Sequence, residues 1–371
     1  MKTNLSSQIT LNRVSPRYYR PENAFERSVL TRLEKIPTDI YESVEEGANH
    51  IACEIAQVIR DKQKAGRFCV LALPGGNSPR NVYAELIRMH KEEGLSFRNV
   101  IVFNMYEYYP LSSDAINSNF NALKEMLLDH VDIDKQNVFT PDGSIAKDTI
   151  LEYCRLYEQR IESFGGVDIA LLGIGRVGNI AFNEPGSRLN SNTRLILLDS
   201  ASRNEAAKIF GTIDNTPISS ITMGVSTILG AKKVYLLAWG EDKARMIKEC
   251  VEGSITDTIP ASYLQTHNNC TVILDQGASE DLTRIKTPWV VGPCIWDDAM
   301  QRKGIVWLSA QVGKPILKLT DRDYNDNFMS SLLAQEGSAY KLNIKMFNVL
   351  QHTITGWPGG KPNADDSARP E

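Results

Sequence analysis

Six short apolar runs punctuate the chain: Phe68–Leu73, Val100–Phe103, Val167–Leu172, Leu195–Leu198, Val234–Ala238 and Cys270–Leu274. Each is near-continuous rather than alternating, as expected of strands buried on both faces. The stretches between them place apolar residues three and four apart. Residues 46–65 read as a helix with Ala48, Ile51, Ala52, Ile55, Ala56 and Ile59 on one face. Val82, Tyr83, Leu86 and Ile87 repeat that spacing, as do Ala244, Ile247, Cys250 and Val251. Buried strands alternating with amphipathic helices predict an α/β fold, a doubly wound and mainly parallel sheet with helices on both faces in a Rossmann-like topology. No internal repeat of fixed period interrupts this order.

Four segments are expected: an N-terminal extension over 1–45, the α/β domain over 46–287, a C-terminal block over 288–355 and a linker-like tail over 356–371. Arg17-Tyr-Tyr-Arg-Pro21 reads as an extended lead-in. Trp289, Trp296 and Trp307 mark the C-terminal block, whose patterning suggests a small α/β unit. The tail is rich in Pro, Gly and charge, a linker composition.

Net charge is −4, so no global field draws the chain to nucleic acid or to an acidic membrane face. An anionic small ligand has to be held by local donors. The six cysteines are scattered without a CxxC pair, so neither a metal site nor a disulfide framework is expected. The N-terminus lacks an apolar h-region and no run approaches 18 apolar residues. A cytoplasmic protein without membrane insertion is the expectation.

Candidate chemistry concentrates where apolar runs end. Leu73-Pro-Gly-Gly-Asn-Ser-Pro79 joins a strand to a helix. Gly75 and Gly76 permit close backbone approach, Ser78 suits an N-cap and Pro79 a first helical turn. The free N–H groups of such a helix start suit a phosphate, although an ordinary strand-to-helix turn reads the same way. Gly240-Glu-Asp-Lys243 is a second such turn, and Lys243 could reach the same anion. Gly173-Ile-Gly-Arg-Val-Gly178 satisfies GxGxxG, with Asp199 near the spacing of a ribose-binding acid. A dinucleotide site needs a helix at the third glycine, and Asn183 and Pro185-Gly186 break helical periodicity, so no cofactor is expected. The same loop carries Gly175, Arg176, Asn179, Asn183 and Glu184. Phe103-Asn-Met-Tyr-Glu-Tyr-Tyr-Pro110 offers Glu107 and Tyr106 after another strand. Glu184 and Glu107 are the acid–base candidates, if burial separates their proton affinities. None of the five histidines falls in these loops.

These motifs identify a resemblance. Leu73–Pro79, Phe103–Tyr108, Gly173–Pro185 and Tyr263-Leu-Gln-Thr-His267 occur in the order and at the intervals of glucosamine-6-phosphate deaminase/isomerase, within the wider group that includes 6-phosphogluconolactonase. The resemblance covers about residues 45–285 and implies a sugar-phosphate substrate, an enzyme of amino-sugar metabolism and, often, a homo-oligomer. It implies that Gly75, Gly76, Asn77, Ser78, Lys208 and Lys243 hold the phosphate, with Lys208 at an arginine position. The family's proton-shuttling aspartate falls on Tyr106, its ring-opening histidine on Asn179 and the aspartate supporting that histidine on Val177. Its glutamate is kept as Glu184. Ser187 and Arg194 match part of an effector site that some members carry, whereas its lysine is Ile196.

Replacing these acid–base groups predicts severely impaired deamination, at roughly 10²–10⁴-fold per group. Two readings stay open. One is an enzyme using a rearranged set, Glu184, Glu107 and Tyr106. The other is a non-catalytic sugar-phosphate-binding module, a sensor or the partner of a deacetylase domain. The block after 287 resembles the segment that, in some longer bacterial relatives, leads into such a domain.

Overall fold

The structure is a computed structural model describing residues 14–112 and 114–356. The chain forms two compact units: Arg32–Leu282, and the residues before Arg32 together with those after Leu282.

The Arg32–Leu282 unit is built on seven parallel strands. They are β1 (Thr38–Tyr41), β2 (Cys69–Leu73), β3 (Val100–Asn104), β5 (Val138–Phe139), β6 (Ile169–Gly173), β9 (Lys233–Ala238) and β10 (Cys270–Asp275), in the order β1-β10-β9-β6-β2-β3-β5. β4 (Tyr106–Tyr109), β7 (Arg194–Leu197) and β8 (Ser219–Thr222) form a separate antiparallel sheet in the order β4-β8-β7. The parallel sheet bears out the expected doubly wound α/β class. Every side chain of β2 and β3 is buried, which explains why these strands read as continuous apolar runs.

Helix Val44–Lys64 begins where the Ser43 hydroxyl accepts the Glu46 N–H at 3.1 Å. Its buried face, Ala48 through Ile59, shares one core with Val82, Tyr83 and Leu86 of helix Arg80–Glu93 and with Leu71 and Leu73 of β2. From β2 the chain winds one way to β3 and β5. It then returns to the other side of β2 as β6 and continues through β9 and β10. The winding therefore reverses between β2 and β6, and a crevice opens outside their carboxyl ends.

Several expectations are corrected. The Leu195–Leu198 run lies not in the parallel sheet but in β7, which pairs antiparallel to β8 with Leu195 opposite Ile221. The β7 side chains are half-buried to exposed, with Leu198 buried just beyond the strand, so β7 lacks the two-sided cover of a parallel strand. Residues 106–109, read as a loop, form β4, where aromatic side chains suit a pleated surface. β1, within the expected extension over 1–45, pairs with β10 through Ile40 and Leu274.

In the second unit the described residues after 287 contain helices and no strand, unlike the mixed block expected. The apolar Val306-Trp-Leu308 lies inside helix Asp298–Val312, which Asp297 caps and a left-handed Gly313 ends. Trp289 packs on Trp296 and Trp307, with ring centroids 5.5 and 5.4 Å apart. The segment read as an extended lead-in instead holds helix Pro16–Tyr19, because Pro16 sits at the first turn. The linker-like tail beyond Gly356 lies outside the described residues. Among those residues no helix is long and apolar enough to cross a membrane.

Candidate functional site

A cavity of about 890 Å³ opens at the carboxyl ends of the central strands. Gly75–Ser78 follow β2, Met105 and Tyr106 follow β3, Gly173–Gly175 and Asn179 end β6, and Trp239, Asp242 and Lys243 follow β9; all of them line it. Helix Ser200–Phe210 supplies another wall through Ser202, Glu205, Ala206 and Ile209, which share one face by their spacing.

The Gly75–Ser78 loop is fixed on three sides. The Tyr83 hydroxyl donates to Pro74 O at 2.8 Å, and Trp239 Nε1–H donates to Ser78 O at 2.9 Å. A Cβ on Gly75 would lie 2.1 Å from the Asn119 carbonyl oxygen, so only glycine fits this approach. The N-cap of helix Arg80–Glu93 falls on Pro79, one residue beyond the expected Ser78. Arg80 N–H donates to Asn77 O at 3.2 Å, but no side chain caps the helix start, which lies at the cavity's edge, where Lys243 is mostly buried, 16% exposed.

The loop after β6 turns back on itself. Gly175 N–H donates to Asn179 O at 2.9 Å, and Ile174 bridges Ile180. No helix opens at Gly178; the next begins at Ser200, so the GxGxxG letters serve a turn. Asn179 is buried, its Nδ2 donates to Ala181 O at 3.3 Å, and its Oδ1 has no partner. Ala181, also on the cavity wall, holds a left-handed φ of 49°. Strain of this kind persists where surrounding structure enforces a loop shape.

The expected site residues divide. Tyr106, Gly75, Gly76, Asn77, Ser78, Lys243, Gly175 and Asn179 line the cavity, whereas Glu107, Glu184, Lys208, Arg176 and Asn183 do not. Glu107 is fully buried, and its carboxylate accepts the N–H groups of Tyr108, Asn119 and Phe120, each at 2.9 Å. Burial raises its pKa and those N–H groups pull it back, leaving it above the usual value. It therefore anchors the start of helix Asn119–Met126 to β4. Glu184 is 8% exposed, and neither carboxylate oxygen has a hydrogen bond of good geometry. Burial raises its pKa, only partly offset by the nearby Ser202 hydroxyl and Asp199 N–H. Lys208 is exposed and lies off the cavity face of its helix.

Asn183 is structural: its Nδ2 donates to Ile180 O and Met223 O, and its Oδ1 accepts from Arg194 Nη1. Arg194 also donates to the Ser187 hydroxyl at 2.9 Å, and burial lowers its pKa.

Sequence reasoning missed Arg80, Trp239, Tyr108, Phe182 and Glu205, all lining the cavity. Residues 202, 205, 206 and 209 carried a readable helical spacing, but nothing in it marked the cavity face. Burial raises the phenol pKa values of Tyr106 and Tyr108 above the ordinary 10, so both stay protonated at neutral pH. Among the described residues no histidine lines the cavity.

A sequence profile of the family described as glucosamine-6-phosphate isomerases/6-phosphogluconolactonase matches residues 42–273. The chain is 84% identical over its whole length to a protein of Bacteroides thetaiotaomicron named glucosamine-6-phosphate deaminase-like, of which it spans 56%. It is 39% identical over 249 residues to a glucosamine-6-phosphate deaminase of Oceanobacillus iheyensis, covering 67% of this chain and 96% of that protein. A solved structure described as a monomeric glucosamine-6-phosphate deaminase superposes with a TM-score of 0.63 at 37% identity, covering 66% of this chain and 100% of its own.

Proposed function

This chain belongs to the glucosamine-6-phosphate isomerase/6-phosphogluconolactonase family, and from that premise we propose that its cavity binds a sugar phosphate of amino-sugar metabolism while deaminating it poorly. The carrying observation is the juxtaposition of the Gly75–Ser78 loop, an uncapped helix start and Lys243 on one cavity wall. N–H groups at a helix start and a mostly buried ammonium complement a phosphate dianion.

Poor turnover follows from what occupies the acid–base positions. Tyr106 keeps its proton, so it donates rather than abstracts. Asn179 does not titrate, Val177 is apolar, and Glu184 lies behind the cavity wall. Each missing proton-transfer group removes roughly 10²–10⁴-fold. One observation favours a rearranged isomerase as a second reading: burial raises the pKa of Glu184 above its usual value, the direction a general acid needs.

The test is ³¹P NMR of glucosamine 6-phosphate with the protein, combined with ammonia detection. Ligand broadening that Lys243→Ala abolishes, without ammonia release, is the expected result. Ammonia or fructose 6-phosphate formation lost in Glu184→Ala would establish the second reading instead. Absence of any broadening would refute sugar-phosphate binding at this cavity.

A further inference from the structure

We propose that Glu205, with the rings of Tyr106 and Tyr108, forms a cation-recognising wall that selects sugar phosphates carrying a protonated amine over their hydroxyl counterparts. The inference rests on the sugar-phosphate reading above and adds the residue that reads the amine.

Among the described residues, three carboxylates line the cavity: Glu125, Asp242 and Glu205. Glu125 Oε1 accepts from Asn121 Nδ2 at 2.8 Å, and Asp242 lies 3.9 Å from Lys243 Nζ. Glu205 has no hydrogen bond or ion pair among the described residues. An exposed glutamate is ordinarily a solvated surface group. This one is on the cavity face of its helix, while its neighbours Asn204 and Lys208 are not.

Its surroundings suit a cation. Tyr106 and Tyr108 pack against Phe182 with centroids 4.5 and 5.4 Å away, and all three rings line the cavity. The Glu205 charge is close enough to both tyrosines to oppose ionisation of their phenols. Aromatic rings beside an unpaired carboxylate attract an ammonium, because the ring quadrupole and the charge act in the same direction. The Tyr106 hydroxyl lies 3.2 Å from where a Gly76 Cβ would be, so this wall meets the phosphate loop. One small ligand bearing both a phosphate and an amine can engage both regions.

The test is calorimetric titration of the whole chain with glucosamine 6-phosphate and with glucose 6-phosphate, for the wild type, Glu205→Gln and Glu205→Asp. The wild type is expected to favour the amine by about tenfold, the scale of one charge-assisted contact. Glu205→Gln should abolish that preference while leaving glucose 6-phosphate affinity within about twofold, and Glu205→Asp should retain part of it. Equal wild-type affinities for the two sugars, or an undiminished preference in Glu205→Gln, would overturn the role of Glu205 and leave sugar-phosphate binding standing. A wild type that binds neither sugar would overturn both.

Discussion

Replacing Gly75 by alanine separates the geometry of the proposed phosphate loop from its charge. The added Cβ would lie 2.1 Å from the Asn119 carbonyl oxygen and 2.8 Å from its carbon. A relaxed carbon–oxygen contact needs about 3.3 Å, so something must move by roughly 1 Å. Asn119 cannot yield easily, because its N–H is held by the buried Glu107 carboxylate at 2.9 Å. The glycine loop must therefore shift. Overpacking of this kind costs about 1–3 kcal/mol. Losing one or two N–H contacts to a charged phosphate should weaken binding by about ten- to a hundredfold. Gly76→Ala is the internal control: its Cβ would meet only the Tyr106 hydroxyl at 3.2 Å, the far end of a side chain. Titration with glucosamine 6-phosphate, followed by Trp239 fluorescence at the cavity wall, compares the two. Wild-type affinity in Gly75→Ala, or a larger loss in Gly76→Ala, would refute the argument.

Glu107→Gln should lower stability by about 2 kcal/mol in a denaturant titration, because an amide NH₂ would then face the Phe120 N–H. Folded variant should still bind ligand; unchanged stability with abolished binding would place Glu107 in the chemistry after all. Asp168 accepts from Lys62 and Lys232 at 2.7 Å and from Val70 N–H at 2.9 Å. Burial works to raise its pKa, but the lysines and the N–H outweigh it and hold it below the usual 3.8. A depressed folded-state pKa means that the stabilisation is present above the unfolded value and is lost as pH falls through the folded one. Asp168→Asn should cost roughly 2 kcal/mol at neutral pH and flatten the acid limb of melting temperature against pH. An unchanged acid limb would show that the cluster contributes nothing.

The parallel sheet was legible because burial on both faces writes itself as near-continuous apolar residues, as in β2 and in Val100–Phe103 of β3. The antiparallel sheet was not. β8 is Ser-Ser-Ile-Thr, buried although mostly polar, and the Ser220 hydroxyl is satisfied by Glu107 O across the ladder, a contact no local pattern encodes. The glycine loops and Lys243 were readable for a related reason: strand-to-helix turns at adjacent strand ends share one crevice. Which carboxylates enter that crevice was not. Glu107 and Glu184 sit at strand ends in sequence yet turn into the protein, whereas Glu205 reaches the cavity from a helix whose spacing looked like any other.

The two halves of the site differ in what they require of the chain. On the proposed reading, phosphate recognition would draw mainly on backbone N–H groups, a close glycine approach and one ammonium. Substitution elsewhere leaves these intact while the β2 turn keeps its shape. Proton transfer would require particular side chains, and at the positions where the resemblance expects them stand Tyr106, Val177 and Asn179: a phenol that keeps its proton, a hydrocarbon and an amide. A fold that fixes its ligand through the backbone can thus retain binding after its acid–base groups are replaced. On that reading any new specificity would come from residues free to change, and Glu205, on the cavity face of its helix with no hydrogen bond or ion pair among the described residues, is such a residue.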